Sequence, residues 1–310
     1  MTIARPERSI LATPGSNPRM IEKALASDAD VVMIDLEDAV APEAKSESRV
    51  IVAAALRDGD WRGRPRTFRM NALDTPWFVR DLVDITEQTG AALDRIVLPK
   101  ARCSTDVVTV ATMLNALEAG RDHVEPIGLD VQIESAAGLV HCEAIATAST
   151  RIQALVFGPG DYAATVGMPL TAIGTPDEWD TSYPGHRWDY PMHRLVVAAR
   201  AAGVRTIDGP YADFRDEAGF RRSCLIARAL GFDGKWCIHP AQVPIANEVF
   251  TPTSEEIAWA REVLSANEAA AVAGRGSFAL DGRMIDAASL RMARATLARA
   301  GQDEFTTDAG

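Results

Sequence analysis

Eight short apolar runs recur along the chain, and longer segments with helical periodicity separate them. The runs cover residues 9–15, 30–38, 66–71, 95–100, 129–135, 154–161, 204–210 and 235–240. Strands that alternate with helices of this length imply βαβ crossovers and a parallel sheet. Eight such units predict an α/β fold of the closed (β/α)₈ TIM-barrel type, for which a chain of 310 residues has an ordinary length.

Two other classes of protein are disfavoured by simple features of the sequence. No G-x-G-x-x-G run follows the first predicted strand, which argues against an open dinucleotide-binding sheet. The formal net charge of -11 argues against a nucleic-acid partner, because phosphates need a basic surface. A small anionic ligand stays compatible with this charge, since a local basic cluster can sit in an acidic protein.

The cysteines and the absence of long apolar runs predict a cytoplasmic protein. The four cysteines are far apart and show no C-x-x-C spacing, so we expect reduced, mostly buried thiols: Cys103, Cys142, Cys224 and Cys237. The start, MTIARPERSI, lacks the apolar core of a signal peptide. No run reaches the roughly 18 apolar residues that a membrane helix needs, so no membrane contact is expected.

The C-terminal part of the chain predicts a helical extension beyond the barrel. We assign residues 1–250 to the barrel and residues 251–310 to this extension. A long helix is followed by a segment with Gly274, Gly276 and Gly282, which we interpret as a hinge, and then by a second helix, DAASLRMARATLARA. Two helices joined by such a linker predict a lid that covers the same barrel or a neighbouring one.

Polar or charged residues end most of the apolar runs, and these ends meet on one face of a barrel, where such enzymes carry their sites. The residues are Asp35, Glu37, Asp38, Arg69, Asn71, Lys100, Glu134, Asp161, Asp208 and His239. A charge that merely marks the end of a strand explains single members of this set. It explains less well why so many strands end in this way.

The run VQIESAAG ends a buried strand on Glu134, and a buried carboxylate is costly unless it is paired or binds a metal. Asp161 ends the next strand, and neighbouring strands lie about 4.8 Å apart. Two carboxylates with water and substrate oxygens are a typical Mg²⁺ site. The alternative is a salt bridge to Arg69 or Lys100. We expect the small residues Ala136, Ala137 and Gly138 to leave room for substrate.

Arg69 lies in FRMN and brings a permanent, planar positive charge to the same face, which suits a carboxylate or a developing enolate oxygen. The alternative is a structural ion pair with Asp35, Glu37 or Asp38.

A possible anion site lies at the start of the first helix. Gly15, Ser16 and Asn17 would offer free backbone N–H groups there, and Arg19 follows in the first turn, a combination that suits a phosphate. The same residues also make an ordinary turn and helix cap.

The segment 171–191 is long for a barrel loop and rich in aromatic residues, namely Trp179, Tyr183, Trp188 and Tyr190. Long loops on this face are often functional. The segment therefore predicts either a substrate mouth or a subunit interface.

A series of motifs in this order resembles the citrate lyase β-subunit-like (HpcH/HpaI aldolase/citrate lyase) family of CoA-ester lyases. The motifs are PGS, DLEDAV, FRMN, LPK, IESAAG, GPGDYAA, DGPYADF and GKWCIHPAQV, and the resemblance covers residues 9–300. Within the family, the aromatic segment and the terminal DGRMIDAASLRMA look most like malyl-CoA and β-methylmalyl-CoA lyases.

The resemblance implies a set of site residues and an assembly. Glu134 and Asp161 would hold Mg²⁺, with Mn²⁺ as an alternative ion, and Arg69 would contact the reacting oxygens. Asp286 would enter a neighbouring subunit's site as acid or base in a homotrimer or hexamer, although the first residue of a helix is also a good cap. Residues with supporting roles would be Asp38, which accepts hydrogen bonds from ion-bound water, and the CoA contacts Ser16, Arg19, Trp236 and Ile238.

The implied reaction is the reversible aldol (Claisen-type) cleavage of a 3-hydroxyacyl-CoA. The favoured case is (S)-malyl-CoA, which gives acetyl-CoA and glyoxylate; β-methylmalyl-CoA would give propionyl-CoA. The alternatives are a malyl-CoA thioesterase, a citramalyl-CoA lyase and a non-catalytic CoA-binding barrel. One methyl group changes binding by about 1–3 kcal/mol, too little to be deduced from the sequence.

Overall fold

The computed structural model describes residues 6–119, 125–183, 186–272 and 276–302. Eight parallel strands close into a barrel in sequence order, which confirms the predicted TIM barrel. The strands are β1 (Ser9–Pro14), β2 (Val31–Asp35), β3 (Arg66–Arg69), β4 (Arg95–Leu98), β5 (Gly128–Ile133), β6 (Ile152–Phe157), β7 (Arg205–Asp208) and β8 (Gly234–Cys237).

Helices follow the strands and complete the βα units. They are α1 (Pro18–Ala26), α2 (Lys45–Asp58), α3 (Phe78–Thr89), α4 (Ser104–Glu118), α5 (Ala136–Val140), α6 (Cys142–Ala146), α7 (Pro159–Val166), α8 (Glu178–Ser182), α9 (Asp189–Ala202), α10 (Glu217–Leu230) and α11 (Gln242–Phe250). Short 3₁₀ turns cover Pro42–Ala44 and Gly90–Ala92.

The barrel interior is filled by alternate residues of the strands. Because side chains of a strand point to opposite faces in turn, every second residue faces inward. The interior apolar cluster is formed by Ile10, Val31, Met33, Val97, Ala154, Val156, Ile207 and Trp236. Strands buried on both faces explain why the runs are apolar throughout rather than alternating. The same alternation carries Asp35, Arg69 and Glu134 to the inward side at the C-terminal end of the barrel.

The chain forms two compact units. One unit consists of residues 7–248, and the other contains Pro6 and the described residues from Val249 onwards. In the second unit α12 (Ser254–Val272) packs on α13 (Ala287–Arg299), with a two-stranded hairpin between them, β9 (Phe278–Leu280) and β10 (Arg283–Ile285). Its core consists of Ala260, Val263, Leu264, Ile285, Ala293 and Leu297. The function of this unit as a lid stays a prediction.

The glycine-rich segment is not the simple hinge that the sequence suggested. Asp281 and Gly282 form the turn of the hairpin, with φ of 46° and 75°, and these positive values are those of a type I′ turn. Gly276 lies at the start of the hairpin, and Gly274 lies outside the described residues. Gly282 therefore closes a hairpin instead of joining two mobile parts. Among the described residues we find no helix whose length and apolar content would let it cross a membrane.

Candidate active site

A cavity of about 400 Å³ opens at the C-terminal end of the barrel. Its walls come from the ends of seven strands, all except β4, and from the segments that follow them. The lining includes Thr13, Pro14, Met20, Asp35, Asp38, Arg69, Gln132, Glu134, Gly158, Gly160, Asp161, Ile173, Pro210, Trp236 and Ile238. Most of the charged residues that the sequence placed on this face therefore share one space.

Arg69 is held by a buried carboxylate. Its Nε and Nη2 atoms donate to the two carboxylate oxygens of Asp35 at 2.7 and 2.6 Å. Asp35 also accepts from the backbone N–H groups of Glu37 and Ala39, which fixes the loop after β2. Burial, the largest single effect, lowers the pKa of Arg69. The charge and hydrogen bonds of Asp35, together with the charges of Glu37 and Asp38, outweigh burial and raise the pKa above its ordinary value. The structural ion pair of Arg69 with Asp35, one of the alternatives that the sequence allowed, is thus present. The guanidinium of Arg69 nevertheless lines the cavity.

Glu37 forms the second contact of Arg69 and links it to Lys100. Glu37 is buried, with one oxygen 2.7 Å from Arg69 Nη1 and the other 2.9 Å from Lys100 Nζ. Burial raises the pKa of Glu37 above its ordinary value. Lys45 donates to the backbone carbonyls of Leu36 and Glu37 at 2.7 and 2.5 Å and so holds this loop from behind.

Asp38 lies at the wall of the cavity rather than beneath it. Its side chain is 59% exposed and lies 3.5 Å from Lys100 Nζ. Asp35 and Glu37 are the buried acids of this loop. The role predicted for Asp38, an acceptor of hydrogen bonds from ion-bound water, stays a prediction.

Glu134 is buried at the centre of the cavity wall. Its Oε1 accepts from the backbone N–H of Lys100 at 2.7 Å, and its Oε2 accepts from the amide of Gln132 at 2.5 Å. Lys100 has φ of 53°, in the left-handed region that costs a side-chain-bearing residue energy. This strained conformation of Lys100 therefore orients its backbone N–H towards the carboxylate of Glu134. Among the described residues Glu134 forms no salt bridge, so the alternative of a structural pair with Arg69 or Lys100 is not found.

The pKa of Glu134 reflects first its burial and then its acidic surroundings. Burial, and then the negative charge of Glu37, raise its pKa to about 8, and Asp161 adds to this shift, while Arg69 opposes it. A carboxylate with such a pKa lacks sufficient positive charge nearby. A cation close to Glu134 would supply that charge.

Gly158 allows Glu134 to reach this position. It follows β6 beside Glu134, and a Cβ atom on it would lie only 2.5 Å from Glu134 Oε2. Asp161 follows in the first turn of α7, is half-buried, and faces the same cavity. The two carboxylates predicted to share an ion thus lie on one wall.

The balance of charge around the cavity favours a cation. Among the described residues here, the carboxyl groups of Asp35, Glu37, Asp38, Glu134 and Asp161 outnumber the basic groups of Arg69, Lys100 and Lys45. Hard carboxylate oxygens are the ligands that Mg²⁺ prefers, and it usually keeps several waters. No cluster of three or more His, Cys, Asp or Glu side chains in the described chain could hold an ion alone. The donor set fits an ion held by two carboxylates, with water or substrate completing its shell.

Three of the predicted strand-end residues are engaged elsewhere. Asn71 bonds to the buried Asp81. Asp208 forms a buried ion pair with Lys235. His239 stacks on Phe214 with the ring centres 4.6 Å apart, and its Nδ1 accepts from the Ala241 N–H. These three side chains support the walls of the barrel and are not among the described residues that line the cavity.

The small residues after Glu134 have a structural reason. Ala136 and Ala137 begin α5, and the Ser135 hydroxyl accepts from the Gly138 N–H. A Cβ on Gly138 would lie 2.5 Å from the Ala101 carbonyl. Gly138 therefore makes room for a neighbouring backbone, which corrects the expectation that it makes room for substrate.

The predicted phosphate cradle at α1 is largely occupied by the protein itself. The N–H groups of Gly15 and Asn17 donate to the carbonyls of Asp35 and Pro14, and the Asn17 side chain caps the N–H of Met20. The expectation of free N–H groups is wrong for these two residues. Ser16 and Arg19 are exposed, and their assignment as CoA contacts stays a prediction.

Trp236 and Ile238 line the same cavity as Glu134. Trp236 is buried and lies beneath the Arg69 guanidinium, 5.3 Å from ring centre to Cζ, a distance typical of a cation–π contact. Ile238 is 40% exposed. Their predicted contact with CoA stays a prediction.

The aromatic segment separates into a buried and an exposed part. Trp188 packs edge-on against Phe157 in the barrel wall. Trp179, Tyr183 and Tyr190 are exposed. Residues 184–185 lie outside the described residues. The exposed rings keep both interpretations, substrate mouth and interface, open.

Asp286 caps α13. One of its carboxylate oxygens accepts from the N–H groups of Ala288 and Ser289 at 2.9 and 3.0 Å. The hydrogen bonds from Ser289 hold the pKa of Asp286 below its usual range. The capping role is thus present, and the catalytic role stays a prediction.

Gln132 and Lys45 are the residues that the sequence analysis missed. Gln132 lies in the run VQIESAAG, whose apolar residues predict a buried strand and hide the polar one. Its period-two relation to Glu134 was the available signal, because both side chains must face the same side of the strand.

Comparison with known proteins identifies the family. Residues 8–240 match the model of the HpcH/HpaI aldolase/citrate lyase family. The chain is 44% identical to an L-malyl-CoA/β-methylmalyl-CoA lyase of Cereibacter sphaeroides, over 96% of this chain and 95% of that one. It is 37% identical to a (3S)-malyl-CoA thioesterase of the same organism, with the same coverage.

A solved structure shows the same architecture. CitE from Mycobacterium tuberculosis, in complex with magnesium, acetoacetate and coenzyme A, is 30% identical with a TM-score of 0.76, covering 96% of this chain and 98% of that one. The fold, the cavity and these similarities together show that the chain belongs to the HpcH/HpaI aldolase/citrate lyase family.

Proposed function

We propose that the protein is a carbon–carbon lyase that reversibly cleaves a 3-hydroxyacyl-CoA, with (S)-malyl-CoA giving acetyl-CoA and glyoxylate. β-Methylmalyl-CoA, which gives propionyl-CoA, is the second substrate of the same reaction. The identity to malyl-CoA/β-methylmalyl-CoA lyases supports this assignment. The observation that carries it is the convergence of Glu134, Asp161 and a fixed Arg69 in one cavity.

Carbon–carbon cleavage leaves negative charge on the thioester enolate, and Arg69 would offset it. Asp35 uses two of the five guanidinium N–H donors, and Nη1 faces Glu37 and Gln132. One N–H of Nη2 is left for a substrate oxygen. Because the guanidinium is already fixed by Asp35 and Trp236, it needs no reorganisation when charge develops.

Glu134 and Asp161 would hold a Mg²⁺ ion, with Mn²⁺ as the alternative. When bound, the ion supplies Lewis-acid polarisation of a substrate oxygen, worth several kcal/mol in the transition state. The protein's own contribution is the orientation of the two carboxylates. The magnesium in the related CitE structure supports this assignment.

Asp286 would exchange a proton with the acetyl methyl carbon from the C-terminal unit of a neighbouring subunit. A C–H group next to a thioester is a weak acid, so the base must be close and shielded from water. In the capped state its lowered pKa makes it a weak base. Catalysis would therefore require release of its hydrogen bonds to the start of α13.

A homo-oligomer, trimeric or hexameric, follows from the same assignment. Met284 and Met292 expose 74% and 65% of their surface on the C-terminal unit, which supports contact with a further subunit. A cytoplasmic location is supported by the four cysteines, which are all free thiols.

The thioesterase is the nearest alternative, since a relative with this activity is 37% identical. The same cavity would then activate water against the thioester. A citramalyl-CoA lyase would differ by one methyl group. A non-catalytic CoA-binding barrel would have no need of buried charges such as Glu134 and Glu37 at the mouth.

Product analysis tests the function directly. The protein is incubated with acetyl-CoA, glyoxylate and Mg²⁺, and the mixture is analysed by mass spectrometry for malyl-CoA. Parallel reactions replace acetyl-CoA with propionyl-CoA, or glyoxylate with pyruvate. We expect malyl-CoA from the first mixture, and acetyl-CoA and glyoxylate when the protein is incubated with malyl-CoA and Mg²⁺ alone. Free malate and CoA from malyl-CoA, without glyoxylate, would establish the thioesterase instead.

A further inference from the structure

Gln132 is a buried amide inside the barrel, two residues before Glu134 on β5. Only 3% of the residue is exposed, and a buried amide is costly unless its donors and acceptor are paired. The interior cluster of the barrel is apolar, and charged residues such as Asp35, Arg69 and Glu134 line the cavity with Gln132. The neutral amide at this place therefore requires an explanation beyond filling the barrel.

The two ends of the amide contact two different charged residues. Nε2 donates to Glu134 Oε2 at 2.5 Å, while Oε1 lies 3.4 Å from the donor Arg69 Nη1. The chemistry fixes this orientation, because the amino group must face the carboxylate and the carbonyl must face the guanidinium. Gln132 thus joins the residue proposed to hold the ion to the residue proposed to offset the enolate charge.

Both oxygens of Glu134 are held, each by a separate donor. The Lys100 N–H holds Oε1, and Gln132 holds Oε2. A carboxylate oxygen has two lone pairs, so each oxygen keeps one for a cation. The Lys100 donor belongs to the backbone, whereas the Gln132 donor can be removed by substitution.

We propose that Gln132 is a positioning residue that aims Oε2 of Glu134 at a divalent cation and fixes the spacing between Glu134 and Arg69. This inference rests on the proposed function, in which Glu134 holds the ion. Donors that orient metal-binding side chains commonly change metal affinity about 10–100-fold when they are removed.

A purely structural role for Gln132 makes a different prediction. If the amide only satisfies polar atoms in the barrel, its loss would lower the free energy of unfolding and leave cation affinity unchanged. Cation affinity therefore separates the two roles, and it can be measured without turnover.

The experiment is a Mn²⁺ titration of the full-length chain, followed by electron paramagnetic resonance of the free ion. Gln132→Met keeps the length of the side chain and removes the donor. Gln153→Met is the matched control, because Gln153 lies on the next strand, β6, with its side chain against Gly128 and away from the cavity lining. Gln132→Leu is the second variant, for use if the Met variant does not fold.

We expect the Mn²⁺ dissociation constant to rise about 10–100-fold in Gln132→Met and to stay at the wild-type value in Gln153→Met. A dissociation constant within two-fold of wild type in a folded Gln132 variant would overturn the positioning role alone. Absence of Mn²⁺ binding by the wild-type protein would overturn the proposed function as well.

Discussion

Arg69 and Asp35 form a buried two-point ion pair, in which Nε and Nη2 donate to the two carboxylate oxygens at 2.7 and 2.6 Å. The two residues face each other because Asp35 and Arg69 are register partners on β2 and β3. The pair holds a permanent positive charge at the edge of the cavity. It also makes the stability of the barrel depend on this site.

Asp35→Asn should destabilise the protein by about 3–5 kcal/mol, because it leaves the buried Arg69 charge without its main partner. The free energy of unfolding in urea measures this change. Asp58→Asn is the matched control, since Asp58 makes the same two-point contact with Arg57 on the surface. We expect no measurable change there. Equal effects of the two substitutions would contradict a special role for the buried pair.

Gly158→Ala should displace Glu134, because the added Cβ would lie 2.5 Å from Oε2. We expect Mn²⁺ affinity and turnover to fall together, by at least about ten-fold, because the displaced carboxylate would no longer be oriented towards the ion. Gly276→Ala is the control, since a Cβ there meets no atom within 4 Å. Unchanged Mn²⁺ affinity in Gly158→Ala would show that the site tolerates a shifted carboxylate.

The stability of the metal-free protein should fall as the pH rises from about 4.5 towards 8. The pKa of Glu134 is raised from 4.5 to about 8, so within this window the native state keeps a proton that the unfolded state has lost. A native state that binds more protons loses stability as the pH rises. Unfolding in the presence of a chelator measures the effect.

Glu134→Gln removes the titrating group and serves as the control for this pH dependence. The variant should lack the part of the decline that Glu134 causes, and Mg²⁺ should reduce the decline in the wild type. Identical pH profiles for wild type and variant in chelator would show that Glu134 is ionised throughout the window.

Asp286→Asn distinguishes the capping role of Asp286 from its proposed catalytic role, since asparagine caps helices about as well as aspartate. We expect an unchanged unfolding midpoint and turnover lower by about 10²–10⁴-fold, the usual contribution of general acid–base catalysis. Turnover near the wild-type value would leave Asp286 only as the cap of α13.

A mixing experiment tests whether Asp286 acts on a neighbouring subunit. Inactive Asp286→Asn and inactive Glu134→Gln chains are dissociated and reassembled together. Activity should reappear, because mixed oligomers contain sites with one intact Glu134 and one intact Asp286. Failure to recover activity in mixed oligomers would place both residues in the same chain's site.

The sequence predicted the barrel because the pattern of eight apolar runs is a local property of the chain. It also predicted that Glu134 and Asp161 would share a cavity, since adjacent βα units lie side by side. Asp161 lies in the first turn of α7 and not at the end of β6, as the sequence had suggested. The sequence alone did not decide whether Asp35, Glu37 or Asp38 pairs with Arg69. Strand register places Asp35 opposite Arg69, and Glu37 also pairs with Arg69 at 2.7 Å.

The features that the sequence did not predict depend on contacts between distant segments. The contact of Gln132 with Arg69 crosses 63 positions in sequence. The left-handed backbone of Lys100, with φ of 53°, has no sequence signal, because a lysine gives no hint of it. The Asp281–Gly282 turn had a local signal, and we had interpreted its glycine as a hinge.

The most direct test of the account is the rate of malyl-CoA cleavage as a function of free Mg²⁺ for wild type, Glu134→Gln and Asp161→Asn. We predict saturable activity in the wild type, none in chelator, and a loss of both activity and Mg²⁺ dependence in each variant. Glyoxylate and acetyl-CoA should appear in equal amounts. Full cleavage in chelator, or wild-type activity in both variants, would contradict a cation held by these two carboxylates.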